Sequence, residues 1–126
     1  GLALGLFGTG AQAAAALRLA ASRPGRIAAV VSHGGRPELA GPDALARIRA
    51  PTLLIVDEAD SAAVERNRKA LRRLDCEKDL ALIPQASRTR GRQGAALEAA
   101  RLAARWFQGY FGADARATTP PASPRA

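Results

Sequence analysis

The chain has no methionine, a single cysteine, tryptophan, tyrosine and histidine in 126 residues, and only 4% aromatic residues. Each scarcity narrows the reading. One cysteine, Cys76, rules out an internal disulfide, so packing alone must hold the fold and a reducing, cytoplasmic setting is expected. There is one histidine, His33, and no metal or cofactor is assigned. No apolar run approaches the roughly 20 residues of a membrane span. No charged segment leading into an apolar run marks a secretion signal. A soluble protein without membrane association is the expectation.

The chain is 48% hydrophobic, enough for one domain with a modest core. Its net charge is +8, carried mainly by arginine and accompanied by abundant alanine. A GC-rich coding sequence produces that profile by itself, so the basic balance does not single out a nucleic-acid partner. The first residue, Gly1, falls inside a strand-like run and is not a methionine; the chain is expected to be part of something longer.

Short apolar runs alternate with segments of helical period, the pattern of βαβ units and a parallel sheet. Strands are expected over 2–7 (from Leu2 to Phe7), 27–32, 52–56 and 80–83. Their nearly continuous apolar character suits strands covered on both faces. Helices are expected over 11–22, 44–49, 62–74 and 95–111. The third places Val64, Leu71 and Leu74 at helical spacing, with Arg66, Arg68, Lys69, Arg72 and Arg73 mostly on the other faces. The fourth offers Leu97, Leu102, Trp106 and Phe107 to a sheet. Residues 113–126, rich in Pro, Ala and Thr, read as a disordered tail after a domain over 1–112. If the strands pair in order, the 2–7 strand is an apolar edge that invites self-association or pairing with a partner chain.

The stretch "GLFGTGAQAAAAL" supports two chemistries. Gly8, Gly10 and Ala13 satisfy G-x-G-x-x-G/A between a strand and a helix, as a dinucleotide-binding turn requires. Such a turn needs an acidic residue about 20 residues on, to hold a ribose hydroxyl. Here the next strand ends in "VVSHGGRP", with no carboxylate before Glu38 and only Arg36 to meet a phosphate. The other chemistry is a nucleophile elbow, where small residues allow a sharp turn from strand to helix.

Four ordered blocks bear on that choice: "GLFG…AAAAL", "AAVVSHGGRPELAGPDALARIRAPTLLIV", "LDCEKDLALIPQAS" and "LEAARLAARWF". Together they resemble the dienelactone-hydrolase-like α/β-hydrolases, including those fused to phosphoribosyltransferase domains. The resemblance implies the carboxyl half of such a domain, a partial α/β-hydrolase fold with a mostly parallel sheet of about four strands flanked by helices. It also implies ester or lactone hydrolysis by a serine, an acid and a histidine. In relatives the first block reads like G-L-F-G-A-S-T-G-A, which puts Gly10 at the nucleophile position. Asp60, after the strand "PTLLIV", takes the acid position. The last block resembles P-G-A-T-H, which puts Arg88 at the histidine position.

A hydroxyl attacks only when a base takes its proton, and the acid serves to orient that base. Glycine has no hydroxyl, and an arginine with a pKa above about 12 is no general base at neutral pH. The expectation is therefore an inactive or truncated homologue. Thr9 is a poor substitute, being β-branched and one residue off the elbow position. Ser87 suits a turn better than a reaction. Asp60 also suits the N-cap of the helix that follows it, Asp57 and Glu58 read as solvated turn residues, and Cys76 as a packing residue. His33, at a strand's carboxyl end, reads as a plain loop histidine or, as an alternative, a ligand contact, whereas the oxyanion loop that "HGG" resembles belongs earlier in the family's chain. Two other readings stay open. One is a non-catalytic basic module using residues 66–73 and Arg88, Arg90 and Arg92 for an acidic partner or nucleic acid. The other is a dinucleotide-binding βαβ fragment.

Overall fold

The computed structural model describes residues 4–88 and 91–118; the side chains of residues 88, 92 and 112–118 are not part of that description. Four strands form one parallel sheet in chain order: β1 (Leu4–Thr9), β2 (Ile27–His33), β3 (Thr52–Asp57) and β4 (Lys78–Ile83). The helices are α1 (Ala13–Ser22), α2 (Pro42–Arg47), α3 (Ser61–Arg73), α4 (Gln85–Arg88) and α5 (Arg92–Thr118). A 3-10 turn, Gly10–Gln12, leads into α1, and another, Pro37–Ala40, precedes α2.

Two cores lie on opposite faces of this sheet. Under α1, α2 and α3, Leu17, Val30, Leu45, Ile48, Leu54, Ala70 and Leu74 close one layer. Under α5, Val31, Leu53, Ile55 and Ile83 meet Ala99 and Ala103. The alternation of side chains along each strand makes this division, since Val30 and Leu54 point one way while Val31 and Ile55 point the other. Full burial on both faces holds for the central strands β2 and β3. It fails for β1 and β4, which flank the sheet and have one strand neighbour each; Leu4, Phe7 and Leu82 stand exposed there.

Several sequence expectations need correction. In α5 the buried stripe runs through Ala99, Ala103 and, half-buried, Ala95, Leu102, Trp106 and Phe107, while Leu97 is 62% exposed. Two residues before Ala99, Leu97 is turned by roughly 200° to the far side of the helix. In α3 the buried positions are Ala63, Asn67 and Ala70, followed by Leu74 just past its end. Val64 and Leu71 are only partly covered. Asn67 fits there because its Nδ2 donates to Ala63 O at 2.9 Å.

The last helix starts before residue 95 and continues through 113–118, inside the segment read as a tail. Alanine dominates that extension and the first residue that breaks a helix is Pro120, so nothing local stops it sooner. Residues 119–126 of the expected tail lie outside the described residues, as do Leu2 and Ala3 of the expected first strand. No helix among the described residues is long and apolar enough to cross a membrane.

Candidate functional site

Because all four strands are parallel and in register, their carboxyl ends share one edge: Thr9 pairs with His33, His33 with Ile55, and Asp57 with Ile83. Thr9 and His33 end their strands there, and the turns that follow carry Gly10, Arg36, Asp60 and Arg88. In open α/β sheets this is the edge where ligands bind.

The turn after β1 is built from glycines with different duties. A Cβ on Gly8 would come within 2.6 Å of Gln12 O and 2.9 Å of Ala16 Cβ, so no side chain fits between strand and helix there. Gly10 has φ +53°, and a Cβ built on it would meet nothing within 4 Å. The chain thus takes a left-handed step at Gly10, into open space, with no side chain there. Thr9, at φ −122° and ψ 148°, is ordinary extended strand and does not occupy the sharp point of the turn. Gly35, φ +66°, packs so closely on Gly10 that a Cβ would overlap the Gly10 carbonyl oxygen.

Asp60 is the N-cap of α3. Its Oδ1 accepts from Ala63 N–H at 3.0 Å, satisfying one of the helix's free donors, an arrangement worth about 1 kcal/mol. The cap reading of this residue is therefore realised in the fold. Arg88 closes the single-turn helix α4, and its side chain lies outside the described residues, with Thr89 and Arg90 wholly so. Ser87 is buried in that turn, its N–H donating to Pro84 O at 3.0 Å.

Glu58 proves to be more than a solvated turn residue. Its Oε2 accepts from Gln85 N–H at 3.0 Å, and its own N–H donates to Ile83 O at 3.0 Å. It ties the turn after β3 to the turn after β4. A carboxylate one residue past the end of β3 carries no sequence signal for a contact 27 positions away; only the register of β3 on β4 creates it. Glu58 itself is exposed, whereas Asp57 beside it is half-buried.

His33 is half-buried at the end of β2. Desolvation pushes its pKa below 6.5, and the nearby Asp57 carboxylate pulls partly the other way. The unfolded chain therefore takes up this proton at higher pH than the folded one does, so the contribution to stability is present above about pH 6.5 and falls away on acidification. As the chain's one histidine, His33 gives an unambiguous imidazole signal. An NMR titration should find its midpoint below 6.5, and Asp57→Asn should lower it further. A midpoint at or above 6.5, or one that rises in the variant, would contradict this placement.

Arg36, the candidate phosphate contact, is engaged with Glu38: Nε to Oε2 at 3.0 Å. The Cys76 thiol packs on the α1–α3 core and contacts Thr52 Oγ1 at 3.7 Å, with burial raising its pKa, so it is a poor nucleophile. No group of three or more His, Cys, Asp or Glu residues among the described ones could hold a metal ion.

No protein-family model matches this chain. Two proteins of Mycobacterium tuberculosis, from strains CDC 1551 / Oshkosh and H37Rv and both provisionally named phosphoribosyl transferases, are each 41% identical over 106 residues. That match takes in 84% of this chain but 24% of each relative, so the chain spans about a quarter of their length. The crystal structure of a dienelactone hydrolase from Anabaena variabilis ATCC 29413 superposes with a TM-score of 0.77 at 46% identity, over 84% of this chain and 49% of that one. With a parallel four-stranded sheet flanked by helices, a glycine-built turn after β1 and this degree of identity, the chain resembles the dienelactone-hydrolase-like α/β-hydrolases over the half of that fold it shares with the Anabaena structure.

Proposed function

We propose that this chain is a non-catalytic member of that family: the carboxyl half of a hydrolase domain whose residues at the nucleophile and base positions have been replaced. The observation that carries this reading is Gly10. Its backbone makes the left-handed step of a nucleophile elbow, the space beside its Cα is empty, and no hydroxyl is there to attack. Arg88, at the histidine position, holds its proton throughout the neutral range and can neither accept one from a nucleophile nor deliver it to a leaving group. Asp60 keeps the acid position, but its carboxylate is employed at the α3 N-terminus. An acid whose task is to orient a histidine has no task of that kind beside an arginine.

The transferase name of the mycobacterial relatives does not pass to this chain. Each match covers 84% of it, so the part shared with those proteins is largely the part shared with the hydrolase. We read that part as a hydrolase-like segment within a longer protein. In the same reading, the open edge of β1 is a pairing surface for another chain.

Purified protein should hydrolyse p-nitrophenyl acetate no faster than buffer containing an inert protein, and a fluorophosphonate probe should leave it unlabelled. Labelling at Thr9 or at any serine would overturn the proposal.

A further inference from the structure

We propose that the cleft between α2 and α3, remote from the triad positions, binds a small organic phosphate monoester. The cleft is about 280 Å³. Pro42 and Leu45 of α2 and Ala70 of α3 give it an apolar side, and Lys69, Arg72 and Arg73 a cationic one. Leu45 and Ala70 are nearly or fully buried, so the apolar side is continuous with the core and fixed in shape.

The charge here is in excess of structural need. The one acid lining the cleft, Glu38, is held by Arg36 Nε at 3.0 Å and approached by Arg66 Nε at 3.9 Å. Arg72 reaches Glu65 at 3.7 Å in an exposed pair of little strength. Lys69 and Arg73 have no acidic partner among the described residues. They are four apart on one helix stripe, where like charges repel by a few tenths of a kcal/mol.

Basic residues often end a helix because they favour the carbonyl end of its dipole. In α3 that task is already performed by Lys78, whose Nζ donates to Leu71 O at 2.9 Å and Leu74 O at 2.8 Å. Two unpaired cations beside an apolar wall match an anion with an apolar body. The phosphate would lie between Lys69 and Arg73, and the ester group against the exposed ring of Pro42. A half-open cleft of this size favours a small molecule over a nucleic-acid strand, which calls for an extended basic track.

Phenyl phosphate is the probe, titrated into the isotopically labelled full chain at low salt and followed by amide chemical shifts, with inorganic phosphate, phenol and a single-stranded oligonucleotide run in parallel. Saturable shifts should centre on Leu45, Lys69, Ala70 and Arg73. Phenyl phosphate should bind about tenfold more tightly than inorganic phosphate, and phenol not measurably. Lys69→Gln/Arg73→Gln should weaken phenyl phosphate at least tenfold, while Arg68→Gln, on the same helix but outside the cleft, changes it less than twofold. The proposal fails if shifts are unsaturable or spread evenly over the basic residues of α3. It fails equally if both phosphates bind alike, if Arg68→Gln costs as much as the double variant, or if the oligonucleotide displaces phenyl phosphate at lower concentration. Should the double variant lose its fold, the shift map and the ratio of the two phosphates still decide the matter.

Discussion

Gly35→Ala is expected to lower the thermal midpoint by roughly 10 °C or more, and Gly34→Ala by a few degrees. The two glycines are adjacent and have nearly the same backbone, φ +66° and +68°. An alanine at either must accept the left-handed conformation, at a cost of about 1–2 kcal/mol. At Gly34 that is the whole cost, since a Cβ there would meet nothing within 4 Å. At Gly35 the new methyl would overlap the Gly10 carbonyl oxygen and crowd Ala13 Cβ at 3.2 Å. Backbone cannot swing aside as a flexible side chain can, so either the 34–36 turn or the Gly10 turn must move. The sum is about 3–5 kcal/mol, a large part of the stability of a domain this size. Thermal unfolding by circular dichroism measures both variants. Equal losses would mean that the turn after β2 is not clamped on the turn after β1.

That contact also bears on what the sequence disclosed. The order of strands and helices was legible because β2 and β3 are short apolar runs with charged or glycine-rich turns between them, and no other element competes for those residues. Gly10, Asp60 and Arg88 were legible only through the family resemblance, and the parallel register brings the turns that hold them to one edge. Side-chain partnerships across that edge were not. Glu58 to Gln85 and Gly35 against Gly10 join turns from different βα units, and nothing in either local sequence announces the other. Leu97 misled for a different reason: a leucine on an alanine-rich helix looks like the core residue, yet α5 approaches the sheet through Ala99 and Ala103, whose small size permits close packing. Asn67 was hidden because a polar residue reads as surface until its Nδ2 finds the carbonyl one turn back.

The open edge of β1 should make the protein's sedimentation coefficient rise with concentration, and Leu4→Lys/Phe7→Lys should hold it constant. β1 pairs with β2 alone. Leu4 N–H donates to Arg26 O at 3.0 Å, on the β2 side. From there the alternation of a parallel strand turns the backbone groups of Gly5, Phe7 and Thr9 outward. Those unpaired donors and acceptors form a template for another strand. The side chains beside them do not discourage one: Leu4 is 54% and Phe7 47% exposed, on opposite faces of the strand, and no residue of β1 is charged. A second strand would cover both and extend each apolar layer by one position. Lysines at 4 and 7 place charge on both faces of the edge, which a paired strand would have to desolvate, while the core beneath β2 and β3 is untouched. Sedimentation velocity over a wide concentration range separates the outcomes. A wild-type chain that stays monomeric at the highest concentration, or a lysine variant that associates as strongly, would place the self-association elsewhere or nowhere. A monomer that then binds a strand-forming segment in trans would show that the edge is reserved for a different chain, with the lysine variant losing that binding too.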